Sequence, residues 1–219
     1  VARLDCEALN ALSPTSVHRA GESATMRDSP LDGSNFMQTQ HQAVPVAIDW
    51  PAQIHRTLRD FDVKQVAYVP DAGHRKLIEL CHADSSMRAV SLSTEEEGIA
   101  LTSGAWLGGA RGVLLMQSSG VGNCINMLSL ARACNFPLLM IITMRGEWGE
   151  FNPWQVPMGQ AVEPNLKLFE TIVLRADTPE EVQPSVEAGA KLAFNGYNMV
   201  AVLLGQRLIG SKAFKAVDD

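Results

Sequence analysis

Residues 112–144 read GVLLMQSSGVGNCINMLSLARACNFPLLMIITM, and their pattern decides the architecture. An apolar run over 112–119 ends in Gln-Ser-Ser, spaced apolar residues follow over 121–135, and a second apolar run fills 136–144. Runs apolar on successive residues suit strands covered on both faces, whereas the spaced pattern between them suits a helix. Strand, helix and strand in that order imply parallel strands with the helix packed across them.

The alternation extends in both directions. VKQVAYVP (63–70), MRAVSLS (87–93), ETIVLR (170–175) and NMVAVLLG (198–205) complete a set of six strand-like runs. Helical patterns lie near 47–61, 73–82, 95–109, 121–135, 157–169 and 178–195. In DTPEEVQPSVEAGAKLAF, Thr178 is placed as N-cap, Pro179 as the first helical residue and Glu181 as the return arm of a capping box. Val182, Val186, Ala190 and Ala193 then form one apolar face. The expected fold is α/β: a doubly wound, mainly parallel six-stranded sheet with helices on both faces, flavodoxin-like in outline.

Residues 1–45 differ in kind. SPTS, DSPLDGSN and MQTQHQ carry no sustained apolar period, so a flexible N-terminal tail is expected there, with Met26 and Met37 as alternative natural starts. His18 and His41 read as solvated. One main domain is expected over 46–219, a length able to bury a single substantial core.

With 46% hydrophobic and 19% charged residues the chain is of ordinary globular composition, and a net charge of -6 disfavours nucleic acid as a partner. The longest compact apolar stretch, FPLLMII at 136–142, is too short to span a membrane. Cys6, Cys81, Cys124 and Cys134 show no CxxC spacing, which points to reduced thiols in the cytoplasm. Cys124, Leu128, Ala131 and Cys134 share a helical stripe and read as core.

In a parallel sheet the loops after the strand ends gather on one edge, where ligands bind. Four polar or glycine-rich loops are expected there: PDAGH (70–74), STEEEG (93–98), QSSGVGN (117–123) and RGEWGEFNPWQVPMG (145–159). STEEEG sets Glu95, Glu96 and Glu97 side by side at a helix start. A capping box, Thr94 with Glu97 or Ser93 with Glu96, consumes one of them. At least one carboxylate is left for proton transfer. The following helix holds Gly98, Gly104, Gly108 and Gly109, with Gly112 just beyond, a costly cluster that implies close backbone approach or an early helix end. QSSGVGN lacks the GxGxxG order and any GKS or GKT, so Gly120 and Gly122 mark a tight turn with Asn123 at the ligand edge. His74 is the one histidine in a ligand-edge loop; His55 and His82, with no partner expected, read as structural. No metal-ligand spacing and no GxSxG elbow occurs.

TEEEGIALTSGAWLGGARGVLLMQSSGVGNCIN, PLLMIITMRGE and QVPMGQ together resemble the alpha subunit of sulfopyruvate decarboxylase and the matching domain of phosphonopyruvate decarboxylase. Pro70–Asp71 after the first strand and Arg145–Glu147 after the fourth belong to the likeness, which spans roughly 47–210. The resemblance implies a pyrimidine-binding domain of a thiamine diphosphate enzyme that releases carbon dioxide and an aldehyde from a 2-oxo acid, the coenzyme serving as electron sink. It implies that a glutamate after the second strand hydrogen-bonds the aminopyrimidine: Glu95, with Glu96 as the alternative and Glu97 left to capping. It further implies Asp71 and His74 near the substrate, Ser118, Ser119, Gly120, Gly122 and Asn123 around the pyrimidine, and Arg145 facing an acidic substrate tail.

The family's diphosphate half carries a GDG motif that these residues lack. The resemblance therefore implies a beta subunit supplying that half and the Mg2+ ligands, in a hetero-oligomer of alpha/beta pairs. Trp148, Phe151 and Trp154 depart from the pattern and suit either a larger, less polar 2-oxo acid or a subunit interface. Carboligation to an acyloin or acetolactate-type product, and a noncatalytic flavodoxin-like binding subunit, are the alternative functions.

Overall fold

The computed structural model describes residues 47–211; the expected tail over 1–45, with Cys6, His18 and His41, lies outside the described residues. The elements run α1 (Trp50–Asp60), β1 (Val63–Tyr68), α2 (Arg75–Ala83), β2 (Arg88–Ser91), α3 (Glu95–Leu107), β3 (Arg111–Gln117) and α4 (Ser118–Ala133). They continue β4 (Leu138–Thr143), α5 (Gln155–Leu168), β5 (Ile172–Ala176), α6 (Pro179–Gly196), β6 (Met199–Leu204) and α7 (Gln206–Ile209). The six strands lie in the order β2-β1-β3-β4-β6-β5, and every neighbouring pair is parallel.

The unbroken apolar runs are explained by two cores, one on each side of the sheet. Val113, Leu115, Leu139, Ile141, Val200 and Val202 face α1, α2 and α6. Their chain neighbours Leu114, Met116, Met140, Ile142, Ala201 and Leu203 face α3, α4 and α5. All six residues of β4 and of β6 are buried, because the pleat sends alternate side chains into each core. Register carries the layers across the sheet, with Val113 opposite Leu139 and Leu139 opposite Val200.

Helix ends follow local chemistry. Asp49 caps α1 by accepting from the Ala52 N–H at 3.4 Å. The Glu181 carboxylate accepts from the Thr178 N–H at 3.2 Å and the Asp177 N–H at 2.7 Å, opening α6 where Pro179 stands at the first turn. Glycine in and around α3 divides into two kinds. A Cβ at Gly98 would run into Leu114, and one at Gly112 would stand 2.9 Å from Thr102, so these two admit close packing of α3 on β3. Gly104 is exposed, facing open space, and α3 ends at Leu107 with Gly109 in a left-handed conformation (φ +82°).

Several expectations are corrected. Cys124, Leu128 and Ala131 are core, but Cys134 is exposed, because α4 stops at Ala133 and the stripe no longer governs the next residue. The third strand ends at Gln117, so Ser118 to Asn123 form the first turns of α4 rather than a loop. His55 and His82 both have partners: Asp84 at 3.0 Å and the Tyr68 hydroxyl at 2.7 Å. The short α7 has no counterpart in the expected pattern.

Candidate functional site

Because the strands are parallel, their carboxyl ends share an edge, and the order reverses direction between β1 and β3. Such a reversal opens a crevice. Asp71, just after β1, spans it. The Thr143 hydroxyl at the end of β4 donates to Asp71 Oδ2 at 2.6 Å, and the Gln117 amide at the end of β3 donates to Oδ1 at 3.0 Å. The Gly73 N–H adds a third bond at 3.1 Å, and Ser119 Oγ donates to Gln117 Oε1 at 3.1 Å. One carboxylate thus ties the loops after β1, β3 and β4. Beside it lies a cavity of about 200 Å³ walled by Asp71, Gly73, Gln117, Thr143 and Arg145.

The three glutamates separate by burial. Glu95 is 8% exposed, while Glu96 and Glu97 are exposed. Glu97 performs the capping, its Oε2 accepting from the Ser93 N–H at 2.9 Å; the Thr94 hydroxyl makes no capping bond. Glu95 turns instead toward α4, where Asn123 Nδ2 donates to its Oε2 at 2.8 Å. Gly120 forms the floor beneath this carboxylate: a Cβ there would stand 2.5 Å from Glu95 Oε1. The second-strand loop and the start of α4 therefore build one polar corner at the ligand edge.

His74 ends its expected loop, at the cap position before α2, with its side chain turned inward. It is wholly buried at the N-terminus of α2 and bonded through Nε2 to the Ile141 carbonyl at 3.0 Å. That bond assigns the proton to Nε2. Nδ1 has no partner at hydrogen-bond geometry. Burial holds its pKa below the usual histidine value, against the opposing pull of the Asp71 charge. The imidazole is a neutral core group and is not among the residues walling the Asp71 cavity.

Arg145 does reach that cavity, but its guanidinium is engaged. Nε donates to Glu150 Oε2 and Nη2 to Oε1, each at 2.5 Å, and the two side chains are 14% and 2% exposed. Glu150 also accepts from the Gly146 and Asn152 N–H groups at 3.2 and 3.0 Å and from Gln206 Nε2 at 2.9 Å. The Arg145 guanidinium and these donors hold its carboxyl at about 2, and the pairing raises Arg145 in turn. The buried Ser118 hydroxyl accepts from the Arg145 N–H at 3.0 Å, joining α4 to the same loop.

A wider groove, about 840 Å³, opens between the start of α4 and the loop entering α5, lined by Ser119, Gly122, Asn123, Trp154, Pro157 and Met158. Trp154 is 81% exposed. The residues missed from sequence are Gln117, Thr143, Glu150 and Gln206. The first two carried a usable signal, since each is the polar residue that closes an apolar run.

Among the described residues no group of three side chains is arranged to hold a metal ion, and no helix is long and apolar enough to cross a membrane. The parts present fit the pyrimidine half of thiamine diphosphate: a sunken carboxylate with Oε1 over a glycine floor, and a side-chain amide fixing Oε2.

The class of domain is given by the sequence match: residues 50–151 match the family described as "Thiamine pyrophosphate enzyme, N-terminal TPP binding domain". Within that class the chain belongs to the family of sulfopyruvate decarboxylase alpha subunits. It is 34% identical over 152 residues to "Sulfopyruvate decarboxylase subunit alpha" of Methanococcus maripaludis, covering 69% of this chain and 91% of that one. The Methanothermobacter thermautotrophicus subunit is 32% identical over 158 residues, covering 72% and 96%. Phosphonopyruvate decarboxylase of Streptomyces viridochromogenes is 38% identical over 94 residues, 42% of this chain and 24% of that protein. A 2-oxoglutarate:ferredoxin oxidoreductase from Magnetococcus marinus shares the fold, with TM-score 0.61 at 16% identity over 73% of this chain and 29% of that one. The chain is accordingly an alpha-type subunit of a thiamine diphosphate dependent decarboxylase.

Proposed function

We propose that this subunit supplies the proton-controlling half of a 2-oxo acid decarboxylase active site, with Glu95 as the residue that touches the coenzyme. The observation that carries the reading is the buried Glu95 carboxylate, tied to Asn123 and floored by Gly120 at the end of β2. The reaction is R–CO–COO⁻ + H⁺ → R–CHO + CO₂: the carbon–carbon bond breaks, its electron pair stays on the former keto carbon, and a proton replaces the lost carboxylate.

Thiamine diphosphate, when bound, supplies the electron sink for that bond cleavage. The chain's own residues supply position and protons. Glu95 Oε1 would accept a hydrogen bond from the aminopyrimidine ring of the bound coenzyme, with Asn123 holding Oε2 in place. Ser119 and Gly122, which line the groove beside Asn123, would border that ring. Asp71, held by three donors, stands at the reacting carbon and orients the substrate. Glu96 is too exposed for the first role, and His74 acts through packing behind Asp71 and β4.

The diphosphate and its Mg2+ are held by a beta subunit carrying the GDG motif, and the assembly of alpha/beta pairs works in the cytoplasm. The name "subunit alpha" of the relatives supports a second chain. The exposed small-residue face of α3, with Ala100 and Gly104, and Leu107 at 73% exposure support a partner packed against it.

The test is Glu95→Gln in the chain copurified with its partner. Partner binding is retained, and thiamine diphosphate dependent turnover falls by about a hundredfold to ten-thousandfold. Glu96→Gln stays within about threefold of the parent. Near-normal turnover in Glu95→Gln rejects the assignment.

A further inference from the structure

Gln117 closes β3 at the corner where the Asp71 cavity and the wider groove meet, and the chemistry of its two neighbours fixes which way its amide points. The Asp71 carboxylate only accepts, so the end of the Gln117 side chain 3.0 Å from Oδ1 is the NH2 group. The reverse placement would set two oxygens bearing negative charge face to face. Asp71 cannot swing away to relieve them, because the Thr143 hydroxyl at 2.6 Å and the Gly73 N–H at 3.1 Å hold Oδ2.

The carbonyl end of Gln117 is then left for Ser119, whose Oγ lies 3.1 Å from Oε1. A carbonyl oxygen has no proton to offer, so Ser119 commits its one hydroxyl proton to Gln117. What Ser119 keeps for the groove it lines is lone pairs. The direction of every bond in this row is set from the Asp71 end.

We infer that Gln117 is a positioning residue of the coenzyme site, which turns the Ser119 hydroxyl into an acceptor matched to an N–H or O–H donor on the bound coenzyme or substrate. The inference rests on the decarboxylase reading of this edge given above.

The experiment uses the chain copurified with its partner in the presence of Mg2+. The Kd of thiamine diphosphate is read by tryptophan fluorescence, and kcat and KM are read on sulfopyruvate, the acid in the relatives' name, for Gln117→Met, Ser119→Ala and the two combined. Gln117→Met keeps the side-chain length and removes both bonds. Each single change is expected to weaken Kd or KM by about threefold to tenfold. The double variant is expected to lose no more than either single one, because both remove the same contact. A donor on the coenzyme shows in Kd, and a donor on the substrate shows in KM alone. Additive losses, or a parent-like Kd and KM in Gln117→Met, overturn the inference and leave the Glu95 assignment standing. A parent assembly that binds no thiamine diphosphate overturns both.

Gln117→Glu decides independently, should the methionine variant not assemble. It keeps an acceptor for Ser119 and sets a second carboxyl against Asp71, a pair that bonds while it shares one proton and repels once both are ionised. The other charged or titratable groups near that pair are Arg145, which lines the same cavity, and His74, neutral and buried behind Asp71. Turnover of Gln117→Glu relative to the parent is expected to rise about tenfold as pH falls from about 9 to about 6. A ratio that stays flat across that interval overturns the inference.

Discussion

The Glu95 carboxylate occupies the space that a side chain at Gly120 would need, since a Cβ there would stand 2.5 Å from Oε1. Gly120 is thus a positioning residue for the proposed proton relay. Gly120→Ala is expected to push Glu95 out of line without removing any polar group. A displacement of about 1 Å costs on the order of a hundredfold in rate. Overpacking costs about 1 to 3 kcal/mol of stability. Turnover of the assembled enzyme, read beside a urea titration of the chain, checks both. Parent-like turnover at reduced stability would show that Glu95 does not act from this position.

Two glycines of α3 predict opposite outcomes for the same substitution. Gly98→Ala drives a methyl into Leu114, at an expected cost of about 1 to 3 kcal/mol. Gly104→Ala meets nothing and removes a flexible residue from a helix interior, so the isolated chain gains about 0.5 to 1 kcal/mol. The same methyl lies on the face proposed to contact the partner, where it weakens assembly. Urea midpoints rank the two, and the subunit dissociation constant reads the second effect. An unchanged dissociation constant in Gly104→Ala would remove α3 from the interface.

The Arg145–Glu150 pair makes a stronger demand. Glu150→Gln leaves a guanidinium at 14% exposure without its anion, and breaking a buried pair from one side costs about 3 to 5 kcal/mol. The folded-state pKa of Glu150, about 2, lies below its ordinary 4.5. Its contribution to stability is therefore present above pH 4.5 and is lost as pH falls toward 2. Acid denaturation followed by circular dichroism should show this loss in the parent and its absence in Glu150→Gln. Matching acid limbs would count against the pair.

Much of this was legible because the sheet writes itself plainly. Runs such as LLMII and MVAVLL are apolar on every residue since each strand feeds two cores, and their shortness separates them from helices. Glu95 was legible as an acid left over after capping, and its burial, against the exposure of Glu96, supports the role proposed for it. Arg145 was legible as a loop cation, but its engagement was not. Glu150 lies five residues on in an irregular loop, and only the fold of that loop, with Gln206 reaching from α7, brings the carboxylate back onto the guanidinium. The burial of His74 was hidden for a related reason: a polar residue in a predicted loop gives no sign that its ring will turn inward to the Ile141 carbonyl.

That inward ring yields the last prediction. His74 is neutral in the folded chain because burial disfavours the imidazolium, and the nearby Asp71 charge opposes this without reversing it. The folded pKa lies below the unfolded value of about 6.5. Below that pH the unfolded chain takes up a proton that the folded chain refuses. The stabilising difference is complete above about pH 6.5 and is lost as pH falls beneath it, at up to about 1.4 kcal/mol per pH unit. This window sits well above that of Glu150, so the two are separable in one titration. His74→Gln keeps a donor toward Ile141 and removes the ionisation, and its stability should stay flat between pH 6.5 and 5.5 where the parent declines. Urea midpoints at half-unit steps of pH provide the measurement. A parent curve with no slope in that interval would mean the ring is protonated in the fold, and the description of His74 as a neutral core group would fail.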